Sequence, residues 1–329
     1  MNWLVVFFLF LAANLQANTR IGIISDSGYC GEREVGWRIK KAAESLGWEA
    51  FLDEERGKTV LRMKQLDWVI CLITGIHRFN KNCPNFLTIF HPFHFLDEKG
   101  KLIPPYEQYD GYLMTIKHTQ SFENSFKERH EESFSIPFYP TLQNVEYKKL
   151  SLNDLVTMVP VWGNRLFDEK FKAFYQYLSL AGFTKFYGVN PPTKAIPNGY
   201  MGSLPFDGFS VIEAFQRHGI VLIIHSTIHN QEEIPSARIF EASAASTVII
   251  SDENPFVKKH FGDSVFYIDT SLSSEEMFQQ VQKHMDFIRS NPEIALAMAK
   301  KAHQIFQDNF LMTDQLLKIN HLTQRIKSQ

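Results

Sequence analysis

The sequence has few cysteines and no excess of charge of either sign. Its 3 cysteines cannot all pair and form no Cys-x-x-Cys motif, which argues against a disulfide framework and a cysteine-based metal site. With 34 basic and 36 acidic residues the net charge is −2, so no basic surface invites nucleic acid or an anionic membrane. Repeats and low-complexity tracts are also lacking. The composition therefore predicts an ordinary globular protein.

No hydrophobic run is long enough to span a bilayer, which takes about 20 residues. The longest uncharged apolar stretch, Trp3–Ala13, has the length of a signal-peptide core. Two features depart from a signal peptide: the first positive charge, Arg20, follows the stretch, and Leu15 stands three positions before a cleavage at Ala17. We expect residues 1–19 to be a signal-like segment or a short membrane anchor in preference to a buried helix.

The rest of the chain alternates short apolar runs with segments of helical spacing, which predicts an α/β fold with parallel sheets. At 329 residues and 38.1 kDa the chain is long enough for two domains. A polar stretch at 144–153 is the predicted linker. The predicted strands are 20–25, 48–52, 67–73, 85–90, 111–115, 156–161, 185–187, 220–225, 248–251 and 265–268, and the predicted helices are 32–46, 167–180, 209–218, 274–290, 292–309 and one from Thr313.

Two glutamates, Glu233 and Glu241, stand eight positions apart with Pro235 between them. Proline suits the first position of a helix, so we expect a helix that starts at Pro235, with Glu233 in the loop before it and Glu241 about one and a half turns inside. Helix N–H groups and the positive dipole end favour a phosphate there, and carboxylates accept sugar hydroxyls. This pattern indicates a nucleotide-sugar. In the alternative interpretation, Glu233 is solvated and Glu241 pairs with Arg238.

The segment 233–252 resembles the Glu-x7-Glu donor-site signature of glycosyltransferases with the two-domain GT-B fold. The continuation through Asp252–Phe256 and Phe261–Asp269 is similar to group 1 glycosyltransferases and their spore-maturation relatives, over about residues 156–270. The resemblance implies two Rossmann-like domains facing each other across a cleft. It assigns 20–150 to an acceptor domain, 151–312 to a nucleotide-sugar donor domain, and 313–329 to a C-terminal helix that braces the first domain.

The resemblance also implies a set of donor-binding residues. Gly163, after Trp162, would allow close approach of the diphosphate, and Arg165 suits phosphate, although a surface ion pair is equally open. Tyr187 would stack on the base or belong to the core. The full donor-binding set is Gly163, Asn164, Arg165, Tyr187, Gly188, His229, Arg238, Phe240 and Glu241.

Three residues are predicted to be catalytic: Glu233, His225 and His91. His225 and His229 lie near the donor sugar in the resemblance, and either one could bind sugar or phosphate or be structural. A zinc site is not expected, because a His-x3-His pair needs a helix and the His225 end is strand-like. The chain also lacks the Asp-x-Asp motif by which the other glycosyltransferase architecture typically holds its metal. Helix dipole and arginine would meet the diphosphate charge instead.

The stereochemistry of transfer determines whether a general base is needed. An inverting enzyme needs one from the acceptor side, where His91, His94 and Asp26 are the candidates. A retaining enzyme can pass the proton to the leaving phosphate, and Glu-x7-Glu proteins are more often retaining. We therefore expect a metal-independent transferase, retaining in preference to inverting, with no cofactor beyond its nucleotide-diphosphate-sugar co-substrate.

Two other functions fit the sequence. A signal-like N-terminus and two α/β lobes also describe a periplasmic solute-binding protein, and a degenerate transferase would bind sugars without turnover. For the transferase, the expected partners are the nucleotide-sugar donor and a glycan, lipid or protein acceptor. Nucleic acid is not expected, and membrane association would run through residues 3–13. Export or membrane association is the expected location, with the cytoplasm as the alternative, because nucleotide-sugars are cytosolic.

Overall fold

The structure is a computed structural model that describes residues 19–28, 30–90, 95, 97, 103–104, 106–115, 135–159, 168–189 and 196–328. Several sequence predictions lie outside these described residues. They concern the apolar segment 1–18, the histidines of segment 91–94, and the strand end 160–167 with its phosphate candidates; the site residues affected are His91, His94, Trp162, Gly163, Asn164 and Arg165.

The chain divides into two compact units. The first contains the described residues up to Gln143, the short segment Phe206–Gly208 and the C-terminal stretch from Leu311. The second contains Asn144–Pro205 and Phe209–Phe310. The chain therefore returns to the first unit at its end.

The first unit is built on a six-stranded parallel sheet in the order β2-β1-β3-β4-β5-β6. Its middle strands are buried on both faces, which explains their nearly continuous apolar sequences. The strands are β1 (Arg20–Ile24), β2 (Glu49–Asp53), β3 (Trp68–Cys71), β4 (Asn85–Ile89), β5 (Gly111–Met114) and β6 (Ser135–Pro137).

Among the described residues, the helices that pack on this sheet are α1 (Cys30–Ser45) and the C-terminal α9 (Met312–Lys327). Apolar residues at helical spacing on α9, including Met312, Leu316 and Ile319, join Ile39 of α1 in one buried cluster. The expected C-terminal helix thus completes the core of the first unit.

The second unit is built on a five-stranded parallel sheet in the order β11-β10-β9-β7-β8. Its strands are β7 (Asp154–Met158), β8 (Thr184–Tyr187), β9 (Gly219–Ile223), β10 (Val248–Asp252) and β11 (Phe266–Ile268). Its helices are α2 (Glu169–Leu180), α3 (Ser210–His218), α4 (Thr227–Gln231), α5 (Ala237–Ala244), α6 (Pro255–Phe261), α7 (Ser274–Ser290) and α8 (Pro292–Asn309).

Both sheets share one topology. In each unit the second strand lies outside the first, and the third, fourth and fifth follow on the other side. The strand order therefore reverses between β1 and β3 in the first unit and between β7 and β9 in the second. In open α/β sheets, ligands bind beyond the carboxyl ends of the strands at this reversal point. Ligand-binding residues are therefore expected after β1, β3 and β9.

The predicted α/β fold with parallel sheets is confirmed, and the predicted helices 274–290 and 292–309 match α7 and α8. The sequence missed β6, α4 and α6. Each is short: α4 has 5 residues and β6 has 3, so their periodicity is too brief to detect. Within the described part of the chain, no helix has both the length and the apolarity to cross a membrane.

Candidate functional site

The carboxyl ends of β9 and β10 meet at one edge of the second sheet, because the two strands are parallel neighbours. His225 lies two residues beyond β9, and Asp252 is the last residue of β10. Between them along the chain run α4, the loop that carries Glu233, and α5. This edge therefore collects most of the described residues that the sequence predicted for donor binding.

His225 and Asp252 form a buried pair in which both side chains are fully shielded from solvent. One oxygen, Asp252 Oδ1, lies 2.6 Å from His225 Nδ1 and accepts the backbone N–H of His225 at 3.0 Å. Burial would raise the pKa of Asp252, but the hydrogen bonds and charge of His225 prevail and lower it. Asp252 is therefore an ionised acceptor. His225 Nε2 is buried and has no hydrogen-bond partner among the described residues.

The segment after His225 forms the short helix α4, capped by Ser226, whose hydroxyl accepts the N–H of His229. Glu233 follows in the loop and is exposed. Its φ of 56° lies in the left-handed region, which a non-glycine residue occupies only when the surroundings hold it there. One such restraint is the bond from Ile234 N–H to the carbonyl of His229, 2.8 Å long. Glu233 is thus presented by a tightly closed loop.

The helix after this loop starts later than predicted. Ser236 is the N-cap of α5 and its hydroxyl accepts the N–H of Arg238, so Pro235 precedes the helix and is not its first residue. Ser236 is the better N-cap because its side-chain oxygen accepts an N–H of the first turn, whereas a proline side chain has no acceptor. Glu241 still lies in the second turn, as expected.

Glu241 is completely buried and pairs with Arg238 at 2.5 Å, while the Arg238 side chain remains 32% exposed. This is the contact of the alternative interpretation, in which Glu241 pairs one turn back along the helix. That interpretation also makes Glu233 solvated, which agrees with its exposure. A ligand hydroxyl would reach Glu241 only by sharing or displacing the Arg238 guanidinium. The roles predicted for Glu233, Arg238 and Glu241 in donor binding stay predictions.

Three predicted donor contacts turn out to have clear structural roles. Tyr187 is buried with its hydroxyl 3.3 Å from Nε2 of His218, so its ring belongs to the core. A Cβ at Gly188 would lie 2.9 Å from the carbonyl oxygen of Val159, so this glycine lets two strand ends pass closely. Phe240 is fully buried against the rings of Phe256 and Phe310 and has no surface to offer a ligand.

A different group of polar residues lies where the strand order reverses in the first unit. Asp26 follows β1 and binds the guanidinium of Arg56 at 2.8 Å, and the same guanidinium donates to the carbonyl of Thr74 after β3. The N–H of Gly28 and the Arg56 side chain lower the pKa of Asp26. A carboxylate stabilised in its ionised form is a poor general base, which weakens Asp26 as the candidate for that role.

His225 and His229 are held by separate local contacts in the described structure. His229 lies on α4, while His225 precedes the helix cap and commits its Nδ1 to Asp252. Their ring centres are 6.2 Å apart. Across the described residues, no group of three or more His, Cys, Asp or Glu is arranged to hold a metal ion.

Comparison with known proteins places this site within a recognised domain. Residues 177–319, which include β9, α5 and β10, match the model of a family described as glycosyl transferase-like. Comparison of the sequence with curated proteins finds no match.

Solved structures with the same fold are GT-B glycosyltransferases. An alpha-glucosyltransferase in complex with UDP and a 13-mer DNA containing an HMU base has a TM-score of 0.63 at 11% identity, covering 93% of this chain and 100% of that one. Sucrose-phosphate synthase from Thermosynechococcus elongatus has a TM-score of 0.56 at 10% identity, with 94% and 99% covered. At such low identity, the likeness shows the fold alone.

A third similar structure is a point mutant of S. aureus TarM in complex with fondaparinux, alpha-GlcNAc-glycerol and UDP. Its TM-score is 0.53 at 11% identity, and the match covers 78% of this chain. This chain spans only 55% of the length of TarM. The predicted α/β fold of GT-B type is therefore confirmed, while the spore-maturation subfamily stays a prediction.

The structure adds three residues within the matched segment 177–319 that the sequence did not single out as site residues: Asp252, Asn230 and Asn254. Asn230 donates to Asp252 Oδ2 at 2.8 Å, and Asn254 donates to Asn230 Oδ1 at 2.8 Å. Two signals in the sequence pointed to Asp252 and Asn254: both lie in the continuation 252–256 that carries the resemblance, and both follow a predicted strand, where the loops of parallel sheets gather.

Proposed function

We propose that the protein is a glycosyltransferase that moves a sugar from a nucleotide-diphosphate-sugar to an acceptor. The observation that carries this proposal is the arrangement at the carboxyl edge of the second sheet. There, the Glu233 loop, the start of α5 and the His225–Asp252 pair lie together inside the glycosyl transferase-like segment 177–319. Two of the similar structures, the alpha-glucosyltransferase and TarM, were solved with UDP, which supports a nucleoside diphosphate as part of the donor.

The second unit binds the donor in this proposal. The start of α5 offers its dipole to the diphosphate, and Arg238, on the first turn of α5 and about one-third exposed, supplies a permanent positive charge. Glu241 accepts the ribose hydroxyls once Arg238 turns from it toward the diphosphate. Glu233, exposed in the loop before the helix, contacts the transferred sugar. Gly163, Asn164 and Arg165 complete the diphosphate site.

The reaction breaks the bond between the anomeric carbon of the sugar and the diphosphate oxygen and forms a bond from that carbon to an acceptor oxygen. Negative charge develops on the departing diphosphate, and the cationic and dipolar groups at α5 stabilise it. We assign retention of configuration, with the acceptor proton passing to the leaving phosphate. The weakness of Asp26 as a base supports this route, because retention requires no side-chain base. No metal ion is required.

The first unit, about residues 20–150, holds the acceptor in this proposal. Its carboxyl edge carries Asp26 and Arg56, and His91 and His94 follow β4 in the sequence. A glycan, lipid or protein is the acceptor class, and the protein acts in glycan biosynthesis. Residues 3–13 direct export or membrane association. The acidic net charge supports an acceptor other than nucleic acid.

Calorimetric titration with UDP and GDP tests the donor assignment. We expect one of the two nucleotides to bind with micromolar affinity, and the matching nucleotide-sugar to release that nucleotide on incubation with the protein and an acceptor. Absence of binding by either nucleotide would contradict the transferase and favour a solute-binding protein. Binding with no release for any sugar or acceptor would indicate a degenerate transferase.

Glu233→Gln tests the proposed sugar contact. An interaction that strengthens in the transition state affects kcat more than ground-state binding. We expect this variant to release nucleotide from the nucleotide-sugar more slowly than wild type while binding free UDP or GDP as wild type does. An equal loss in both measurements would give Glu233 a plain binding role.

A further inference from the structure

We infer that Asp252 and Asn254 are positioning residues of the proposed donor site: Asp252 fixes the imidazole of His225, and Asn254 fixes the loop that carries Glu233. This inference rests on the proposed function, because it concerns the same site. Both residues are fully buried at the end of β10, and neither is exposed to contact a ligand. They would act through His225 and Glu233.

The case for Asp252 starts from its first carboxylate oxygen. Oδ1 accepts both the ring Nδ1–H of His225 and the backbone N–H of the same residue, at 2.6 and 3.0 Å. Two bonds from one residue to one oxygen fix the position of its backbone and the rotation of its ring. Because an ionised carboxylate can only accept, the Nδ1 nitrogen carries a proton. Nε2 is therefore the ring nitrogen of His225 that has no hydrogen-bond partner among the described residues, and it is buried together with the Asp252 carboxylate.

The second oxygen of Asp252 extends the restraint to the Glu233 loop. Oδ2 accepts from the amide of Asn230 at 2.8 Å, and the carbonyl of that amide accepts from Asn254 Nδ2 at 2.8 Å. This chain of side chains joins the end of β10 to α4, the helix that leads into the loop. Hydrogen bonds between side chains stiffen the segments that they join, here the end of β10 and α4.

Asn254 holds both sides of the loop. Its Nδ2 lies 3.3 Å from the carbonyl oxygen of His229, before the loop, and 3.2 Å from that of Ile234, after it. Because the amide has two hydrogens and one is donated to Asn230, these two carbonyls share the other. Glu233, the residue immediately before Ile234, has its φ in the left-handed region, a conformation that costs about 1–2 kcal/mol for a residue with a side chain. Contacts on both flanks are what such a conformation requires.

Helix capping alone does not explain the choice of asparagine at position 254. Its Oδ1 accepts the N–H of Val257 and thereby caps α6. In the same unit, the caps of α4, α5 and α7 are serines, namely Ser226, Ser236 and Ser273. A hydroxyl therefore suffices for capping here. The amide nitrogen of Asn254 is the group that contacts the loop around Glu233.

This separation of roles defines the test. Asn254→Ser keeps a cap oxygen for α6 and removes the amide donor, while Asn230→Ala removes the bridge without touching the cap. Asn291→Ser is the matched control, because Asn291 also donates to a backbone carbonyl at a helix boundary, that of Phe287 at 3.0 Å. For the histidine, Asp252→Asn is compared with Asp154→Asn, which changes the contact between Asp154 and His218 at the other end of the sheet.

Each variant is titrated calorimetrically with UDP, GDP, UDP-glucose, UDP-N-acetylglucosamine and GDP-mannose. For the nucleotide-sugar that wild type binds best, we expect Asn254→Ser, Asn230→Ala and Asp252→Asn to lose about 10-fold or more in affinity, because small misplacements of positioned groups are costly. Affinity for the free nucleotide should change by less than about 3-fold. Both controls should bind every ligand as wild type does. Amide hydrogen exchange of residues 229–236 should accelerate in the three site variants, because each removes a bond of the network that holds the loop, and should keep the wild-type rate in both controls.

The outcomes separate the inference from the proposed function. Wild-type protein that binds none of the nucleotides or nucleotide-sugars contradicts the proposed function and the inference together. Wild-type protein that binds while the three site variants match it contradicts the inference alone. An equal loss of affinity for nucleotide and nucleotide-sugar also overturns it, since that result indicates general damage to the unit. If Asn254→Ser fails to fold, Asn230→Ala decides.

Discussion

The two sheets have the same strand order over five strands, but the charged side chains at their carboxyl edges differ in solvent exposure. In the first unit, Asp26 and Arg56 pair at 2.8 Å with side chains 20% and 43% exposed. In the second, His225 and Asp252 pair at 2.6 Å with no exposure of either side chain. The same topology therefore supports one edge with a partly exposed ion pair and another edge with a fully buried pair.

This difference determines which edge holds a fixed geometry. An exposed pair contributes about 0–1 kcal/mol, because water solvates either partner when the contact opens. A buried carboxylate has no such alternative and stays in place only with its hydrogen bonds satisfied. Asp252 accepts from His225 and Asn230, whereas Asp26 accepts from Gly28 and Arg56 at the surface. The second edge is thus suited to precise positioning, and the first to adaptable contacts.

The largest expected effect is that of Asp252→Ala on stability. The substitution leaves the ring N–H of His225 buried without an acceptor and removes the acceptor of the partly buried Asn230 amide. Breaking a buried pair in this way costs about 3–5 kcal/mol. Urea denaturation followed by tryptophan fluorescence and circular dichroism measures the loss. A loss below about 1 kcal/mol would show that the second edge is as accessible to water as the first.

Glu241→Ala should give the next largest effect, on ligand binding. If Glu241 accepts the ribose hydroxyls, its removal weakens UDP or GDP binding by about 1.5–3 kcal/mol, the range for hydrogen bonds to a charged group. Calorimetric titration measures the change, and circular dichroism checks that the helix survives. Unchanged nucleotide affinity in a folded variant would assign Glu241 to its contact with Arg238 alone.

Mild acid should destabilise the second unit before the first. Burial lowers the pKa of four histidines of the second unit, His218, His260, His284 and His303. Unfolding returns each to a pKa near 6.5, so below that pH the unfolded chain binds more protons than the folded one. The contribution of the four neutral histidines to the free energy of unfolding is complete above pH 6.5. It falls as the pH drops toward the lowered pKa values that they have in the folded state.

Limited proteolysis at pH 7.5 and at pH 5.5, with the cleavage sites mapped by mass spectrometry, locates this effect. Cleavage at the lower pH should rise within Asn144–Pro205 and Phe209–Phe310 more than within the first unit. His303→Gln should reduce the pH dependence, because His303 is buried and accounts for part of the proton uptake. If cleavage at pH 5.5 rises equally in both units, the acid sensitivity does not come from the histidines of the second unit.

Asp26→Ala should have the smallest effect. It releases Arg56 to solvent, and the expected loss of stability is below about 1 kcal/mol. The variant is measured by urea denaturation beside Asp252→Ala, under the same buffer and salt. A loss comparable to that of Asp252→Ala would remove the contrast between the two edges.

Much of the fold was predictable from the sequence because it depends on local patterns. Short apolar runs predicted strands such as β4, and segment 274–290 was predicted as a helix with the bounds that α7 has. The structure adds that Ser273 and Glu276 form a capping box at its start. Strand β6 and helices α4 and α6 were missed because such short segments carry too little periodicity. Pro235 was placed inside α5 because proline favours first turns, but the hydroxyl of Ser236 was the stronger cap.

The sequence by itself determined the α/β class, the parallel sheets and the concentration of candidate residues after strands, since periodicity and chain order are properties of the sequence alone. Only the tertiary structure decided which of those residues meet. The burial of Tyr187 and Phe240 follows from packing against distant segments. The bonds from Asp252 to His225 join residues 27 positions apart, and they form because β9 and β10 pair side by side. Whether a carboxylate is exposed or buried depends on residues that are distant in the sequence and packed around it in the folded chain. A local sequence pattern does not contain this information.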